Sequence, residues 1–217
     1  MKLLLGDCTE VLSTIESGSV DTIATDPPYG IGIDRAMAAS SGSQSGGMLA
    51  KKGNYKPIIG DETTDTAIDS YNVCLSIGAK KMILWGGNYF VEYLKNTRCF
   101  LVWDKMNGTN SMADCELAWT SFEGSVRKYS RHIFTGIGNS NYKTIHPTQK
   151  PVKLYEWLLT NYAKPGDKIL DTHLGSGSIA VACNNLGFQL CACELDTDYF
   201  NMACERIKRE SQQERLF

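Results

Sequence analysis

Short apolar runs alternate along the chain with longer segments in which apolar residues recur at helical spacing. The short runs predict β-strands at 3–6, 20–25, 81–85, 99–104, 116–122, 167–171 and 189–195. The longer segments predict helices at 8–15, 66–79, 152–163, 178–186 and 198–213. Because the two kinds of element alternate, the pattern indicates an α/β fold with a mostly parallel sheet that helices cover on both faces.

Two stretches interrupt this alternation. Residues 34–58 are rich in Gly, Ser and Ala and lack apolar periodicity, and residues 135–146 are polar and contain glycine. A loop as long as 34–58 in a compact domain is usually functional or disordered, so we expect it to be mobile. Neither an internal repeat nor a linker divides the chain, and 217 residues suit a single domain.

Composition limits the class of protein. Hydrophobic residues make up 42% of the chain, which is typical of a soluble globular protein, and no run is long enough to predict a membrane span. The opening MKLLLGDCTE is too short for a signal peptide and predicts a buried first strand. The eight cysteines lack C-x-x-C spacing and the histidines do not cluster with them. We therefore expect a reduced cytoplasmic protein without a structural metal.

Charge is unevenly distributed along the sequence. The net charge of −2 says nothing in favour of nucleic acid, but the stretch 127–153 contains six basic residues and no acid. These are Arg127, Lys128, Arg131, Lys143, Lys150 and Lys153. Such a strip would attract backbone phosphates, although a solvated surface is the plain alternative.

A glycine-containing loop joins the strand at 167–171 to the helix at 178–186. Gly175 and Gly177 allow a tight turn and the close approach of a ligand to a helix N-terminus, and Glu194 ends the next strand, where it could bind ribose hydroxyls. The spacing also satisfies the dinucleotide fingerprint. Asp171 would repel a pyrophosphate but suits S-adenosylmethionine, whose ammonium and sulfonium are positive. The loop thus favours S-adenosylmethionine, with a dinucleotide site or a purely structural turn as alternatives.

The tetrapeptide Asp26-Pro27-Pro28-Tyr29 follows the strand at 20–25. An exocyclic amine of a nucleobase is a poor nucleophile because its lone pair is delocalised into the ring. The Asp26 carboxylate and the Pro27 carbonyl could accept the two amine hydrogens, and the prolines stiffen the turn that carries them. Tyr29 offers a flat face to a base taken out of the stack. The tetrapeptide thus indicates methylation of a base amine.

DPPY (26–29) and DTHLGSGS (171–178) together resemble the amino-directed DNA methyltransferases, and their order resembles the beta-type permutation of that family. Further matching segments are GDCTEVL (6–12), TDPPYG (25–30), WGGNYF (85–90), VWDK (102–105), ELAWTSF (116–122) and IHPTQKP (145–151). The resemblance covers nearly the whole chain. It implies a Rossmann-like methyltransferase fold with permuted motif order, in one domain over 1–217. A catalytic half over about 1–145 would then precede a cofactor-binding half over about 146–217.

The resemblance also implies roles for individual residues. The catalytic pocket would be formed by Asp26, Pro27, Pro28 and Tyr29. S-adenosylmethionine would be held by Asp7, Asp26, Thr148, Lys150, Asp171, Gly175, Ser176, Gly177, Ser178 and Glu194. DNA would be contacted by Arg127, Lys128, Arg131 and Lys143. His173 and Leu174 replace the Pro-Phe common in the family, which puts in doubt how the sulfonium end is packed; His173 is not expected to be catalytic.

The expected substrate is the N6 amine of adenine in double-stranded DNA, because DPPY with Asp first resembles adenine-directed enzymes more than cytosine-directed ones. The N4 amine of cytosine is the alternative, followed by RNA and by protein or small-molecule substrates, whose enzymes usually have Asn in place of Asp26. A non-catalytic relic should have lost Asp26 or the glycines. The specificity segment at about 123–145 is short, so one protomer would read few base pairs unless a homodimer forms.

Overall fold

The structure, a computed structural model, describes residues 1–32, 56–107, 113–132 and 144–213. Within these ranges no helix has the length and apolarity needed to cross a membrane. The predicted loops at 34–58 and 135–146 fall largely in the remaining ranges, and so does Lys143.

A single sheet of eight strands runs through the described part of the chain. The strands are β1 (Lys2–Leu5), β2 (Thr22–Thr25), β3 (Lys81–Trp85), β4 (Phe100–Asp104), β5 (Cys115–Thr120), β6 (Arg127–Ser130), β7 (Lys168–Asp171) and β8 (Gln189–Glu194). Their order in the sheet is β1-β8-β7-β2-β3-β5-β4-β6. Five neighbouring pairs are parallel, and β5 runs antiparallel to both of its neighbours. The prediction of a mostly parallel sheet is confirmed.

Helices cover both faces of this sheet. They are α1 (Cys8–Val11), α2 (Asp65–Ile77), α3 (Val152–Tyr162), α4 (Ser178–Leu186) and α5 (Thr197–Gln213), with 3₁₀ turns at Gly87–Tyr89 and Val91–Tyr93. Along β3, Met82 and Leu84 join one hydrophobic cluster with α1 and α2, while Ile83 and Trp85 join a second cluster with α3, α4 and α5. Successive side chains of a strand point to opposite faces, so an uninterrupted apolar run is buried on both sides.

The topology brings four chain segments to one edge of the sheet. Strands β1, β8, β7 and β2 are adjacent and parallel, so their carboxyl ends lie side by side. Asp7 follows β1, Glu194 ends β8, the loop after Asp171 follows β7, and Asp26 follows β2. Ligands of open α/β sheets bind at this edge.

The sequence pattern missed one strand and overextended one helix. Strand β6 has a single apolar side chain, Tyr129, and lies at the sheet edge, so it presents no apolar run. The predicted helix at 8–15 is a single turn over Cys8–Val11, which the Asp7 side chain caps by accepting from the N–H of Thr9 at 2.7 Å. The other predicted elements are confirmed, with ends that differ by at most two residues. The prediction that the first strand is buried is wrong, because β1 is an edge strand whose residues are exposed or half-buried.

Candidate active site

A cleft of about 260 Å³ opens at the carboxyl ends of the parallel strands. Most of the residues predicted to act on cofactor or substrate line it: Asp7, Asp26, Pro27, Pro28, Tyr29, Thr148, Lys150, Gly175, Ser176, Ser178 and Glu194. Asp171 and Gly177 do not line the cleft but lie next to the loop that does. The structure thus brings together residues that are up to 187 positions apart, from Asp7 to Glu194.

The lining of the cleft is acidic. Among the described residues that form it are six carboxylates and a single lysine, Lys150. The carboxylates belong to Asp7, Asp26, Asp61, Asp69, Glu194 and Asp196. Because Lys150 is already paired with Asp26, no unpaired ammonium or guanidinium faces the cleft from these described residues. Such a lining suits a ligand with positive groups and disfavours a pyrophosphate.

The two oxygens of the Asp26 carboxylate have different surroundings. Oδ2 accepts a hydrogen bond from the ammonium of Lys150, which is 3% exposed. Oδ1 is buried and has no hydrogen-bond partner among the described residues. Burial raises the pKa of the Asp26 carboxyl above its ordinary value, and the Lys150 ammonium acts in the opposite direction. A buried acceptor without a donor indicates that a ligand supplies one.

Lys150 also contacts Glu116, a residue that the sequence analysis did not assign to the site. Its Nζ lies 3.0 Å from Glu116 Oε2, and Lys105 Nζ lies 2.8 Å from Glu116 Oε1. Burial alone would raise the pKa of Glu116, but Lys150 and Lys105 together lower it below its usual value. Burial opposes the charge on Lys150, and the Asp26 and Glu116 carboxylates nevertheless raise its pKa. Four alternating charges thus form one network.

Tyr29 is held in place by residues of the WGGNYF segment. Its ring stacks on that of Tyr89, with centroids 4.8 Å apart and planes 10° from parallel. Gly86 has φ +72°, and a Cβ there would lie 2.2 Å from the Tyr29 ring. Glycine at 86 therefore serves both the left-handed turn after β3 and the close approach of the tyrosine.

The glycine loop is supported from below by buried polar groups. Gly177 (φ +74°) precedes α4, and a Cβ there would crowd Ile207. The guanidinium of Arg206, 2% exposed, donates to the Ser176 carbonyl at 2.9 Å and to Ser178 Oγ at 3.0 Å. Ser178 Oγ in turn donates to the Lys150 carbonyl at 2.6 Å. Arg206 was missed from the sequence because helix α5 is otherwise polar and amphipathic.

Asp171 lies beneath this loop. Its Oδ1 accepts from the N–H of His173 at 3.0 Å. Burial raises the pKa of the Asp171 carboxyl from 3.8 to about 8, with hydrogen bonds from His173 and Thr25 acting the other way. The side chain thus supports the loop backbone, and its direct binding of a ligand stays a prediction.

Glu194 and Asp7 each accept hydrogen bonds from the backbone and also line the cleft. Glu194 Oε2 accepts from the N–H of Gly175 at 2.8 Å, and Oε1 accepts from the N–H of Asp196 at 3.0 Å. Burial raises the pKa of Glu194, and these N–H groups act in the opposite direction. Asp7 Oδ1 accepts from the N–H and the hydroxyl of Thr9. Because a carboxylate oxygen can accept two hydrogen bonds, Glu194 and Asp7 still offer acceptors to the cleft.

Two histidines line the cleft, His146 in a buried position and His173 in a half-buried one. His146 packs against Tyr199 with ring centroids 4.4 Å apart, and its Nδ1 lies 3.0 Å from Thr148 Oγ1. His173 Nδ1 lies 2.9 Å from Thr172 Oγ1. Burial lowers the pKa of both imidazoles to about 4, so both are neutral at pH 7. Neutral rings do not add positive charge to the cleft wall.

Of the basic residues at 127–153, Arg127, Lys128 and Arg131 lie on and beside the edge strand β6, whereas Lys150 is buried at the cleft and Lys153 pairs with Glu156 on α3 at 2.6 Å. Arg127 and Lys128 are exposed, and Lys128 pairs with Asp104 at 3.0 Å. Arg131 follows the strand and is half-buried, and its carbonyl accepts from the Trp103 indole at 3.0 Å. The exposed part of the strip therefore centres on two side chains, one of which already has a counter-charge.

Comparison with known proteins defines the class of protein. Residues 85–205 match the N6_N4_Mtase family, described as DNA methylase. The chain belongs to this family of DNA methyltransferases. Type II methyltransferase M.HpaI of Haemophilus parainfluenzae is 23% identical over 96% of this chain and 74% of its own length.

Solved structures show the same fold. The M1.HpyAVI–SAM complex has a TM-score of 0.61 at 21% identity, covering 94% of this chain and 98% of that one. The cytosine-N4-specific PvuII DNA methyltransferase has a TM-score of 0.60 at 14% identity, covering 97% and 91%. The predicted fold class is confirmed: it is that of methyltransferases.

Proposed function

We propose that the chain transfers a methyl group from S-adenosylmethionine to the N6 amine of adenine in double-stranded DNA. The observation that carries this proposal is the buried, unpartnered Oδ1 of Asp26 at the cleft wall. An acceptor held there by Lys150 suits an amine hydrogen of a base that enters the cleft.

The acidic lining supports S-adenosylmethionine as the cofactor. When bound, it supplies an electrophilic methyl group on a positive sulfur. Asp7 and Glu194 offer carboxylates for its hydroxyl and amine donors, and Gly175 and Ser176 allow close approach to the loop backbone. Thr148 and Ser178 add hydroxyls at the same wall, while Asp171 and Gly177 act by shaping the loop. M1.HpyAVI, of similar fold, was solved with SAM.

The catalytic step rests on the DPPY turn. Asp26 Oδ1 and the Pro27 carbonyl would accept the two amine hydrogens and favour a pyramidal nitrogen with an available lone pair. Burial raises the pKa of Asp26, which makes its carboxylate a stronger acceptor for the proton that the amine must lose. Tyr29, backed by Tyr89, offers a rigid aromatic ring against which a flipped base can stack.

Adenine is favoured over cytosine by the first residue of the tetrapeptide. Asp at position 26 resembles the adenine-directed enzymes, whereas the cytosine-directed ones more often carry Ser there. The order of DPPY before the glycine loop supports the beta-type permutation. It also supports a catalytic half over about 1–145 and a cofactor-binding half over about 146–217, both of which contribute to the cleft. M.HpaI, a type II methyltransferase, supports a function in restriction-modification.

DNA would lie along β6, where Arg127, Lys128 and Arg131 would face phosphates; Lys143, outside the described residues, belongs to the same proposal. The specificity segment at 123–145 offers few side chains for the major groove, and each good bidentate contact gives about 1–3 kcal/mol of discrimination. A homodimer would double the number of base pairs that can be read. We propose that the protein forms a homodimer if its recognition site is longer than a few base pairs.

The target base is tested by mass spectrometry of nucleosides from DNA incubated with the protein and S-adenosylmethionine. We expect 6-methyladenine. A product of 4-methylcytosine without 6-methyladenine would assign the chain to the other branch of its family. Single-molecule sequencing of the same DNA gives the recognition site, and we expect a short or relaxed one.

A further inference from the structure

Three sequence segments outside the DPPY turn and the glycine loop meet at one point of the structure. Lys105 ends the segment VWDK, Glu116 begins ELAWTSF, and Lys150 lies in IHPTQKP. Their side chains form a continuous chain of contacts that ends on Asp26 Oδ2. Neither Glu116 nor Lys105 lines the cleft, so neither touches a bound ligand there.

We propose that Glu116 and Lys105 are positioning residues that act through Lys150 to orient the Asp26 carboxylate and to set its strength as an acceptor. The proposal deepens the proposed function and rests on it, because it assumes that Asp26 accepts an amine hydrogen. It assigns a catalytic role to two charged residues outside the cleft: Glu116, which contacts Lys150 of the cleft lining, and Lys105, which contacts Glu116.

The backbone holds the pair of charges in register. Strands β4 and β5 are antiparallel neighbours in which Trp103 lies opposite Glu116. The N–H of Lys105 donates to the Asp114 carbonyl at 2.9 Å, which extends the ladder past the strand end. Lys105 therefore starts from a fixed position beside Glu116, and its Nζ reaches Oε1 at 2.8 Å with 9% of the side chain exposed.

Aromatic rings further restrict both ammonium groups. Lys150 Nζ lies 5.5 Å from the ring centroid of Trp85, and Lys105 Nζ lies 5.5 Å from that of Trp103. Trp85 is fully buried and Trp103 nearly so. Each lysine is thus held between a carboxylate and an indole, and Lys150 has a second carboxylate that draws it away from Asp26.

The alternation of charge explains why two further residues are needed. If Lys150 paired with Asp26 alone, its positive charge would lower the pKa of Asp26 and weaken Oδ1 as an acceptor. Glu116 partly offsets that positive charge, and Lys105 keeps Glu116 ionised and in place. The titratable groups that face Asp26 are Lys150, Glu116, Lys105, Asp171, Tyr29 and Tyr155. Of these, Glu116, Lys105 and Asp171 lie outside the cleft lining, and of the three only Glu116 and Lys105 belong to the chain of ion pairs through Lys150.

Because Glu116 and Lys105 carry opposite charges, removing one or the other should shift the pKa of Asp26 in opposite directions. Removing the negative charge with Glu116→Gln should lower the pKa of Asp26, and removing the positive charge with Lys105→Met should raise it. The double variant should return the pKa towards the wild-type value, because it removes one charge of each sign. We expect Glu116→Gln to lower kcat at least tenfold, because a lower pKa makes the Asp26 carboxylate a weaker acceptor, while KM for DNA and Kd for S-adenosylmethionine stay within twofold.

The experiment has two readouts. Carbon NMR of labelled aspartate measures the pKa of Asp26 in the purified protein without substrate, and single-turnover methylation measures the chemical step over a range of pH. Lys80→Met is the matched control, because Lys80 pairs with Asp21 at 2.7 Å at the opposite end of β2. It should change neither readout.

The outcomes separate the two proposals. Asp26 pKa values that shift in the same direction in both single variants, or in neither, would overturn the positioning assignment. So would unchanged kcat in Glu116→Gln when the wild type is active. If the wild-type protein methylates no DNA, the proposed function fails. In that case the NMR titration still decides whether Glu116 and Lys105 control Asp26.

Discussion

Asp26 illustrates how one carboxylate can be both fixed and available. Lys150 holds Oδ2, so the side chain cannot rotate freely, and Oδ1 stays buried without a donor in a residue that lines the cleft. An uncompensated buried acceptor costs free energy in the ligand-free protein, and a hydrogen bond to a charged group returns about 1.5–3 kcal/mol when a donor arrives. Pre-organisation of this kind favours the bound state.

The first prediction concerns Asp26→Asn. Because Lys150 donates hydrogens, the amide oxygen should take the Oδ2 position and leave the NH₂ group facing the cleft, where a donor meets the amine hydrogens. We expect single-turnover methylation to fall by about 10- to 150-fold, which corresponds to about 1.5–3 kcal/mol. Calorimetric titration should show that S-adenosylmethionine still binds.

Asp21→Asn is the control for Asp26→Asn, because Asp21 pairs with Lys80 at the other end of the same strand. It removes an aspartate and an ion pair without touching the cleft, so its methylation rate should match that of the wild type. Near-wild-type turnover in Asp26→Asn would remove Asp26 from the mechanism.

The sequence motifs identified the residues that line the cleft and missed those that act on it through another side chain. Asp26 and Gly175 follow predicted strands and Glu194 lies at the end of one, so their place at the sheet edge could be inferred. Glu116 and Arg206 could not, because a charged residue in a strand or an amphipathic helix is usually a solvated one. What makes them part of the site is pairing across the fold, which local sequence does not encode.

At the scale of elements, the turn after β3 decides where Tyr29 lies. Gly86 adopts φ +72° and its missing Cβ leaves room for the Tyr29 ring, while Tyr89 of the following 3₁₀ turn stacks on that ring. The segment WGGNYF thus has two physical functions, a left-handed turn and an aromatic support. Both act on Tyr29, which lies 57 positions before Gly86 and 60 before Tyr89.

The second prediction compares Gly86→Ala with Gly18→Ala. Both glycines have positive φ, +72° and +75°, so alanine costs about 1–2 kcal/mol of backbone strain at each. An added Cβ clashes with Tyr29 only at 86, since nothing lies within 4 Å at 18. We expect a larger loss of unfolding free energy in urea for Gly86→Ala, because the clash adds to the strain, and a reduced methylation rate only in that variant. Equal methylation rates in the two variants would show that methylation does not depend on the packing of the Tyr29 ring against residue 86.

The third prediction concerns strand β6. Arg127 and Lys128 are exposed at the edge of the sheet, and each phosphate that they neutralise contributes about −0.9 to the log–log salt dependence of binding to duplex DNA. The double variant Arg127→Gln/Lys128→Gln should therefore reduce the slope by up to about 1.8. Because Asp104 already pairs with Lys128, we expect most of the change from Arg127. Fluorescence anisotropy of labelled duplex DNA between about 50 and 200 mM salt would measure the slope for each variant.

Lys80→Gln is the control for β6, since this exposed lysine lies near the opposite end of the sheet strands. A slope in the double variant identical to that of the wild type would assign the strip to a solvated surface. Strand β6 itself could not be predicted from the sequence, because pairing with β4 and one packed tyrosine form it rather than an apolar run.

At the scale of the whole molecule, charge is sorted between two regions. Carboxylates collect in the cleft, and exposed basic side chains stand on β6 at the sheet edge. The net charge of −2 therefore conceals a surface suited to phosphates and a cleft suited to a positively charged ligand. This separation cannot be inferred from the net charge, because the sheet order decides which strand ends meet.

The last prediction concerns the dependence of overall stability on pH in the ligand-free protein. Burial raises the pKa of Asp171 from 3.8 to about 8, so the folded protein holds a proton there that the unfolded chain has already released. Stability from this group is therefore greatest at low pH and is lost as pH rises towards 8. Between pH 6 and pH 8 the loss amounts to about 2 kcal/mol.

Asp171→Asn removes this titration while its amide oxygen still accepts from the N–H of His173. Urea unfolding at pH 6, 7 and 8 should show the variant gaining about 2 kcal/mol relative to the wild type across that range. Asp21→Asn should show a constant difference, because the pKa of Asp21 is lowered by the Lys168 N–H and by Lys80 and lies far below this range. A constant difference for Asp171→Asn as well would mean that Asp171 is ionised in the folded protein. Its negative charge would then be available to the positive groups of S-adenosylmethionine, the cofactor proposed for the cleft.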